Sequence, residues 1–246
     1  MKTNHIYNED CRETLGRMGD DAVDCVITSP PYNMNLRIRN GKYCSRQIVK
    51  EFSSKYEGFD DNLPIDDFYE LHSGILKELL RVSPLVFYNI SIVTGSKRAF
   101  FKMIGEFHEQ LKDIVVWDKN HGQPAMAEGV LNRRTELVLV FDRDNAISRQ
   151  FKQAQFYRGT LDDIWHIGRP KKVAKSHGAI FPETLVSTVI QNFTKEGDVV
   201  YDPFMGTGTS AVVSKGMGRK YIGSEISESY LNIANDRLKV TQTKLM

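Results

Sequence analysis

The apolar run Val199-Val200-Tyr201 leads straight into Asp202-Pro203-Phe204-Met205-Gly206-Thr207-Gly208-Thr209-Ser210, and Ala211-Val212-Val213 then open a helical pattern. A strand, a glycine-rich turn and a helix start, in that order, form half of a crossover unit. Such a unit commits a chain to a parallel sheet with helices laid against it. The rest of the sequence repeats the alternation. Strands are predicted at His5–Tyr7, Ala22–Ile27, Leu85–Ile90, Ile114–Trp117, Thr135–Phe141 and Arg219–Gly223. Between them lie a helical turn at Thr14–Met18 and three amphipathic helices, opened by Pro64 with Asp66, by Ser96 and by Pro182. The last stretch, with Tyr230, Ile233, Ala234 and Leu238 on one face, reads as another helix. Residues 118–134 read as a loop. At 246 residues and 41% hydrophobic, the chain fits one α/β domain over 1–246 with a sizeable core.

The turn at 202–210 also limits what can bind. Its glycines admit positive φ and let a ligand approach the backbone, and the free N–H groups of the helix start attract an anionic group. The dinucleotide pattern G-x-G-x-x-G is incomplete, because Ala211 stands where its third glycine would, and no P-loop lysine follows. Glu225 ends the next strand, where an acid typically binds ribose hydroxyls. Asp202 can accept from an ammonium. Carboxylate, ammonium and ribose together describe S-adenosylmethionine.

Thr28-Ser29-Pro30-Pro31-Tyr32-Asn33 leaves another buried strand. Two successive prolines have no N–H to offer a ladder, so the chain must quit the sheet as a stiff loop. That places it at the C-terminal edge of the strands, where ligands bind in open α/β sheets. The Ser29 hydroxyl, free carbonyls and the flat Tyr32 ring suit a planar guest bearing an amine.

Net charge is only +2, so any affinity for nucleic acid must come from local patches. Two stretches supply them. Residues 34–60 begin with Arg37, Arg39, Lys42, Arg46 and Lys50 around Tyr43. Residues 142–176 interleave Arg149, Lys152 and Arg158 with Phe151, Phe156 and Tyr157, then add Arg169, Lys171, Lys172 and Lys175. Basic side chains beside aromatics suit a phosphate backbone and exposed bases. The three cysteines, Cys11, Cys25 and Cys44, have no metal-binding spacing, and a reducing cytoplasm is the simplest setting. No metal, membrane span or signal peptide is expected.

The stretches at 28–33 and 202–210 resemble the two hallmark motifs of S-adenosylmethionine-dependent DNA amino-methyltransferases. The catalytic motif comes first and the cofactor motif late, which is similar to the β class. Asn8-Glu9-Asp10-Cys11, Asp163-Ile164-Trp165 and His177-Gly178-Ala179-Ile180-Phe181-Pro182 resemble lesser motifs of that class. The resemblance implies a Rossmann-like methyltransferase fold in permuted order: a mostly parallel, seven-stranded sheet with one antiparallel strand and helices on both faces. It implies Ser29, Pro30, Pro31 and Tyr32 as the catalytic loop, with Tyr32 stacking on a flipped base. It implies a cofactor site drawn from Asp10, Cys11, Thr28, Phe181, Asp202, Pro203, Phe204, Gly206, Gly208, Thr209, Ser210, Glu225 and Ile226. The partner is DNA, with target recognition expected from 34–60 and 142–176, and a homodimer is an allowed assembly. Ser29 is more typical of cytosine-N4 enzymes, and adenine N6 is the alternative. An RNA or protein-amide methyltransferase is the more distant one. His166 and His177 are expected to be structural.

Overall fold

The computed structural model describes residues 1–33, 37–39, 42–44, 62–123, 128–169 and 181–244. Among these residues, ten strands and six helices follow in the order β1 (His5–Tyr7), α1 (Cys11–Arg17), β2 (Cys25–Thr28), β3 (Arg37–Arg39), β4 (Lys42–Cys44), α2 (Ile65–Val82), β5 (Leu85–Ile90), α3 (Lys97–Glu106), β6 (Leu111–Gln123), β7 (Arg133–Asp142), β8 (Ile164–His166), α4 (Glu183–Phe193), β9 (Val199–Asp202), α5 (Thr209–Gly216), β10 (Lys220–Ser224) and α6 (Glu228–Lys244). Most of the 34–60 stretch, and Lys171, Lys172, Lys175 and His177–Ile180, lie outside the described residues. Within that stretch β3 and β4 pair as a small antiparallel ladder.

Eight strands form the main sheet in the order β1-β10-β9-β2-β5-β7-β6-β8. Only β7 runs against its neighbours, as expected. The count exceeds the expected seven because Ile164–His166 pairs in parallel with Val116–Asp118 and adds an outer strand. The expected loop at 118–134 is partly strand. β6 continues to Gln123 and β7 begins at Arg133, so the two form a long hairpin.

Both faces of the sheet are covered, which is why the central strands read as unbroken apolar runs rather than alternating ones. In β5, Val86, Tyr88 and Ile90 face the side packed by α1, α2 and α3, while Leu85 and Phe87 face α4. Proline and glycine set several boundaries. Pro64 and Pro182 stand at the N-termini of α2 and α4, where a missing N–H costs nothing. Gly208 starts α5 at φ 82° and lies under α6: a methyl group there would sit 2.6 Å from the Ala234 Cβ. The close crossing of α5 and α6 therefore depends on the missing side chain. Among the described residues, no helix is long and apolar enough to cross a membrane.

Candidate functional site

β2 and β9 are neighbours and run parallel, with Cys25 opposite Val200 and Val26 opposite Tyr201. The loops that leave them therefore emerge at the same edge, although 174 positions separate them in sequence. They are joined directly: the Thr28 hydroxyl donates to Asp202 Oδ1 at 2.7 Å. Ser210 donates to Asp202 Oδ2 at 2.6 Å, and the Phe204 N–H donates to Oδ1 at 3.0 Å. Asp202 is thus a buried knot tying the Ser-Pro-Pro loop, the glycine turn and α5 together. Burial pushes its carboxyl up to about 6, and the Ser210 and Thr28 donors restrain the rise.

The glycine turn is open where a ligand needs it to be. Gly206 has φ 54°, and a methyl group built on it would meet nothing closer than the Phe204 carbonyl at 4.0 Å. Its N–H donates to Glu225 Oε2 at 2.7 Å, while the Ser227 N–H donates to Oε1 at 2.8 Å. The acid at the end of β10 therefore faces the turn after β9. α5 starts without a side-chain cap, which leaves its first N–H groups for another acceptor. Arg237 steadies the turn from α6, donating to the Thr207 carbonyl at 2.6 Å and the Thr209 hydroxyl at 3.1 Å and pairing with Glu183 at the start of α4.

Most of the other expected cofactor residues converge on this edge. The Glu225 N–H donates to the Tyr7 carbonyl, and Asn8 Nδ2 donates to the Glu225 carbonyl at 2.7 Å, so the start of α1 lies beside the end of β10. Asp10 caps α1 through the Arg12 N–H at 2.8 Å and pairs with the Arg12 side chain. Cys11 is buried, and burial pushes its thiol up to about 12, so it is a packing surface rather than a nucleophile. Ile226 is exposed beside Glu225. Pro203 is buried, Phe204 is partly open, and Phe181 packs against the α4 core.

Beneath the Ser-Pro-Pro loop lies a polar cluster that pattern reading misses. The Ser29 and Tyr32 hydroxyls are 2.7 Å apart. Tyr32 donates to Glu136 Oε2 at 2.9 Å. Asn89 Nδ2 lies 2.5 Å from the Tyr32 hydroxyl, 2.7 Å from Glu136 Oε2 and 3.2 Å from Ser29 Oγ. Lys119 pairs with the other Glu136 oxygen. Tyr32 is only 7% exposed. Its hydroxyl is therefore a strut under Ser29, a role the expected stacking does not include. The available signals were an amide inside the apolar strand Leu85–Ile90 and an acid opening the apolar run of β7. Only the register, which sets Asn89 beside Val138 and Ile90 beside Leu137, brings them together.

The 142–176 stretch is less uniform than its composition. Phe151 and Phe156 pack against Phe193 of α4, with ring centroids 5.0 and 5.4 Å away, so they anchor the segment and present no open stacking face. The segment also begins at Asp142, opposite Leu85, at the far end of the sheet from Ser29. His166 is at the near end. Its ring Nδ1 lies 2.8 Å from the buried Asp118 carboxylate, which also holds Arg134. No cluster able to hold a metal ion occurs among the described residues.

Comparison with known proteins agrees with this arrangement. The N6/N4 methyltransferase family, described as DNA methylase, matches residues 23–236. The type II methyltransferase M2.DpnII of Streptococcus pneumoniae is 27% identical over 247 residues, covering 95% of this chain and 89% of that protein. Among solved structures, the cytosine-N4-specific PvuII DNA methyltransferase superposes with a TM-score of 0.71 at 16% identity, over 96% of this chain and 86% of the other. M1.HpyAVI, solved as a complex with S-adenosylmethionine, superposes with a TM-score of 0.65 at 20% identity, over 95% of this chain and 98% of the other. At these identities the superpositions establish the fold.

Proposed function

Because the chain belongs to the N6/N4 DNA methylase family, we propose that it transfers a methyl group from S-adenosylmethionine to an exocyclic amine of a base in DNA, with cytosine N4 as the target. The observation that carries this reading is the Thr28–Asp202 hydrogen bond, which sets the amine-binding loop and the glycine turn side by side at one sheet edge.

The cofactor fits the residues present. The uncapped start of α5 offers N–H groups to its carboxylate, and the open space at Gly206 lets it approach the turn. Asp202, ionised above about pH 6, supplies a buried negative charge for its ammonium. Glu225 would receive the ribose hydroxyls, and Asp10 and Ile226 would border the adenine. Cys11, Thr28, Phe181, Pro203, Phe204, Gly208, Thr209 and Ser210 shape the walls or hold those groups in place. When bound, the cofactor supplies an electrophilic methyl group on a sulfonium centre.

The chain's own work is to free a lone pair. An exocyclic amine is a poor nucleophile because its lone pair is delocalised into the ring. The Ser29 oxygen and the Pro30 carbonyl accept its two N–H bonds and draw the nitrogen toward tetrahedral geometry. Ser29 turns a lone pair toward the amine when its own hydrogen is committed elsewhere. The Ser29–Tyr32–Glu136 chain provides this commitment, with each hydroxyl donating toward the carboxylate. Pro31 stiffens the loop. The gain comes from positioning and preorganised electrostatics. The base must first leave the duplex stack, and Tyr32 forms part of the pocket that receives it.

Ser29 in the catalytic loop favours cytosine over the alternative, adenine N6. The enzyme would act in the cytoplasm, alone or as a homodimer. Sequence recognition is assigned to 34–60 and 142–176, where His166 is a described residue at the site's end of the sheet. Mass spectrometry of nucleosides from unmethylated plasmid DNA, incubated with protein and S-adenosylmethionine, tests the whole reading. N4-methylcytosine is expected. N6-methyladenine would move the target base, and no methylated nucleoside would refute the activity.

A further inference from the structure

The helix α3 divides cleanly into two sides. Ala99, Phe100 and Met103 are buried, and the Phe100 ring meets Phe68 of α2 with centroids 5.5 Å apart. Lys97, Arg98, Phe101, Lys102 and Gly105 are all exposed. At about 3.6 residues per turn they fall on one continuous stripe. The head of that stripe lies beside the site. α3 follows β5, which runs parallel to β2 with Tyr88 beside Thr28. Asn33 of the Ser-Pro-Pro loop donates to the Gly95 carbonyl at 3.2 Å, one residue ahead of the Ser96 that starts the helix.

Two features of the stripe point to a polyanion. Its first turn holds no acid but carries Lys97 and Arg98, against the helix dipole, which favours negative charge there. Neither cation meets a carboxylate within ion-pair distance among the described residues. Charges kept at the unfavourable end of a helix without a partner suit an anion that arrives from outside. One turn further on, Phe101 is 57% exposed, a large ring turned away from the core. Lys102 flanks it, with its ammonium 3.6 Å from the centre of the Tyr69 ring and so fixed in direction. The acid at the end of α3, Glu106, is committed to the Tyr69 and Ser73 hydroxyls at 2.6 Å each. Cations interleaved with an aromatic ring are the pattern that tracks a nucleic-acid backbone. From Lys97 to Lys102 the helix rises about 7.5 Å, against ~3.4 Å per phosphate along one DNA strand.

Resting on the DNA amino-methyltransferase reading above, we propose that this face of α3 is a rail for the substrate duplex. Lys97, Arg98 and Lys102 hold phosphates of one strand, and Phe101 packs against the sugars between them. The duplex is thereby oriented over the Ser-Pro-Pro loop, because the Asn33–Gly95 hydrogen bond ties the head of the rail to that loop. The contact is with the backbone, so it positions DNA without reading sequence. It is separate from 34–60 and 142–176, to which recognition is assigned.

The test follows binding of a synthetic duplex by fluorescence anisotropy across a salt series, with methylation kinetics on the same duplex. That duplex carries a site that the wild-type protein methylates on plasmid DNA. Lys97→Gln combined with Arg98→Gln should lower the log–log salt slope by about two and weaken binding at least about tenfold at low salt. Its KM for DNA should rise while kcat stays within about twofold, and affinity for S-adenosylmethionine, read by calorimetry, should not move. Lys97→Arg combined with Arg98→Lys keeps both charges and should bind DNA as the wild type does. Phe101→Ala should weaken binding about threefold with the slope unchanged. Lys220→Gln, which removes an exposed cation at the opposite edge of the sheet, should leave the slope as it is. An unchanged slope in the double Gln variant would overturn the rail, and so would a comparable change per charge in Lys220→Gln. A fall in kcat and cofactor affinity with DNA KM unmoved would assign the two cations to holding the loop and also overturn it. Wild-type binding by Phe101→Ala would overturn the sugar contact. If the wild-type protein methylates no DNA, the underlying activity falls and the rail with it. An active wild type whose double Gln variant keeps its slope removes the rail alone.

Discussion

Gly208 and Asp202 show how single positions govern the site. Gly208 combines a positive φ with a methyl-excluding contact to Ala234. Gly208→Ala should therefore lose roughly 2–4 kcal/mol of stability from backbone strain and overpacking. Urea midpoints would measure this, and Ala234→Gly in the same chain should recover part of it. Asp202 makes a pH-dependent contribution. Its folded pKa, about 6, lies above the unfolded value of 3.8, so the folded state holds the proton more tightly. Folded protein should then lose on the order of 2–3 kcal/mol as pH rises from about 4 to 6. Asp202→Asn should abolish that component, seen as the difference between the two proteins' urea midpoints at pH 4 and pH 7. Cofactor affinity should move the opposite way in the wild type and rise across the same range, because only the ionised carboxylate attracts an ammonium. Both residues stood out in the sequence because glycine and acid after a strand have few other uses. Asn89 and Glu136 did not, since each is one polar residue in an apolar run and its role comes from a partner on another strand.

At the level of elements, the Ser-Pro-Pro loop is held from outside as well as from below. Asn33, at φ 52°, donates to the Leu63 and Gly95 carbonyls and accepts from the Leu63 N–H. It clips the loop to the segments before α2 and before α3. Asn33→Ala should cost about 1–3 kcal/mol in stability. More tellingly, turnover should fall at least tenfold while cofactor affinity, read by calorimetry, changes little. A matching loss of both would mean the clip supports the glycine turn as well. Elements were most legible where punctuation was strong: β5 occupies the expected residues, and α2 and α4 begin at their prolines. The outer halves of β6 and β7 were illegible for a physical reason. Exposed on both faces, they carry no hydrophobic period, and only their mutual ladder makes them strands.

For the molecule as a whole, the charge is nearly balanced at +2. Binding to DNA should nonetheless weaken steeply with salt, because affinity follows the local phosphate contacts and not the net charge. A log–log slope of about −3 or steeper is expected from fluorescence anisotropy between low and moderate salt, and a nearly flat line would contradict a basic DNA face. The mainly parallel sheet was legible because alternating strands and helices permit little else. The outer strand β8 was not, because three residues carry too little pattern to show.

The order of the chain also has a consequence for biosynthesis. β1 pairs with β10, which follows it by more than two hundred residues. Tyr7 and Asn8 meet Glu225 only through that late closure. A growing chain therefore carries the Ser-Pro-Pro loop through 174 positions before Asp202, which ties it to the glycine turn, is made. The edge that brings the two loops together, and with it the proposed transfer, is complete only once β10 has been made and paired.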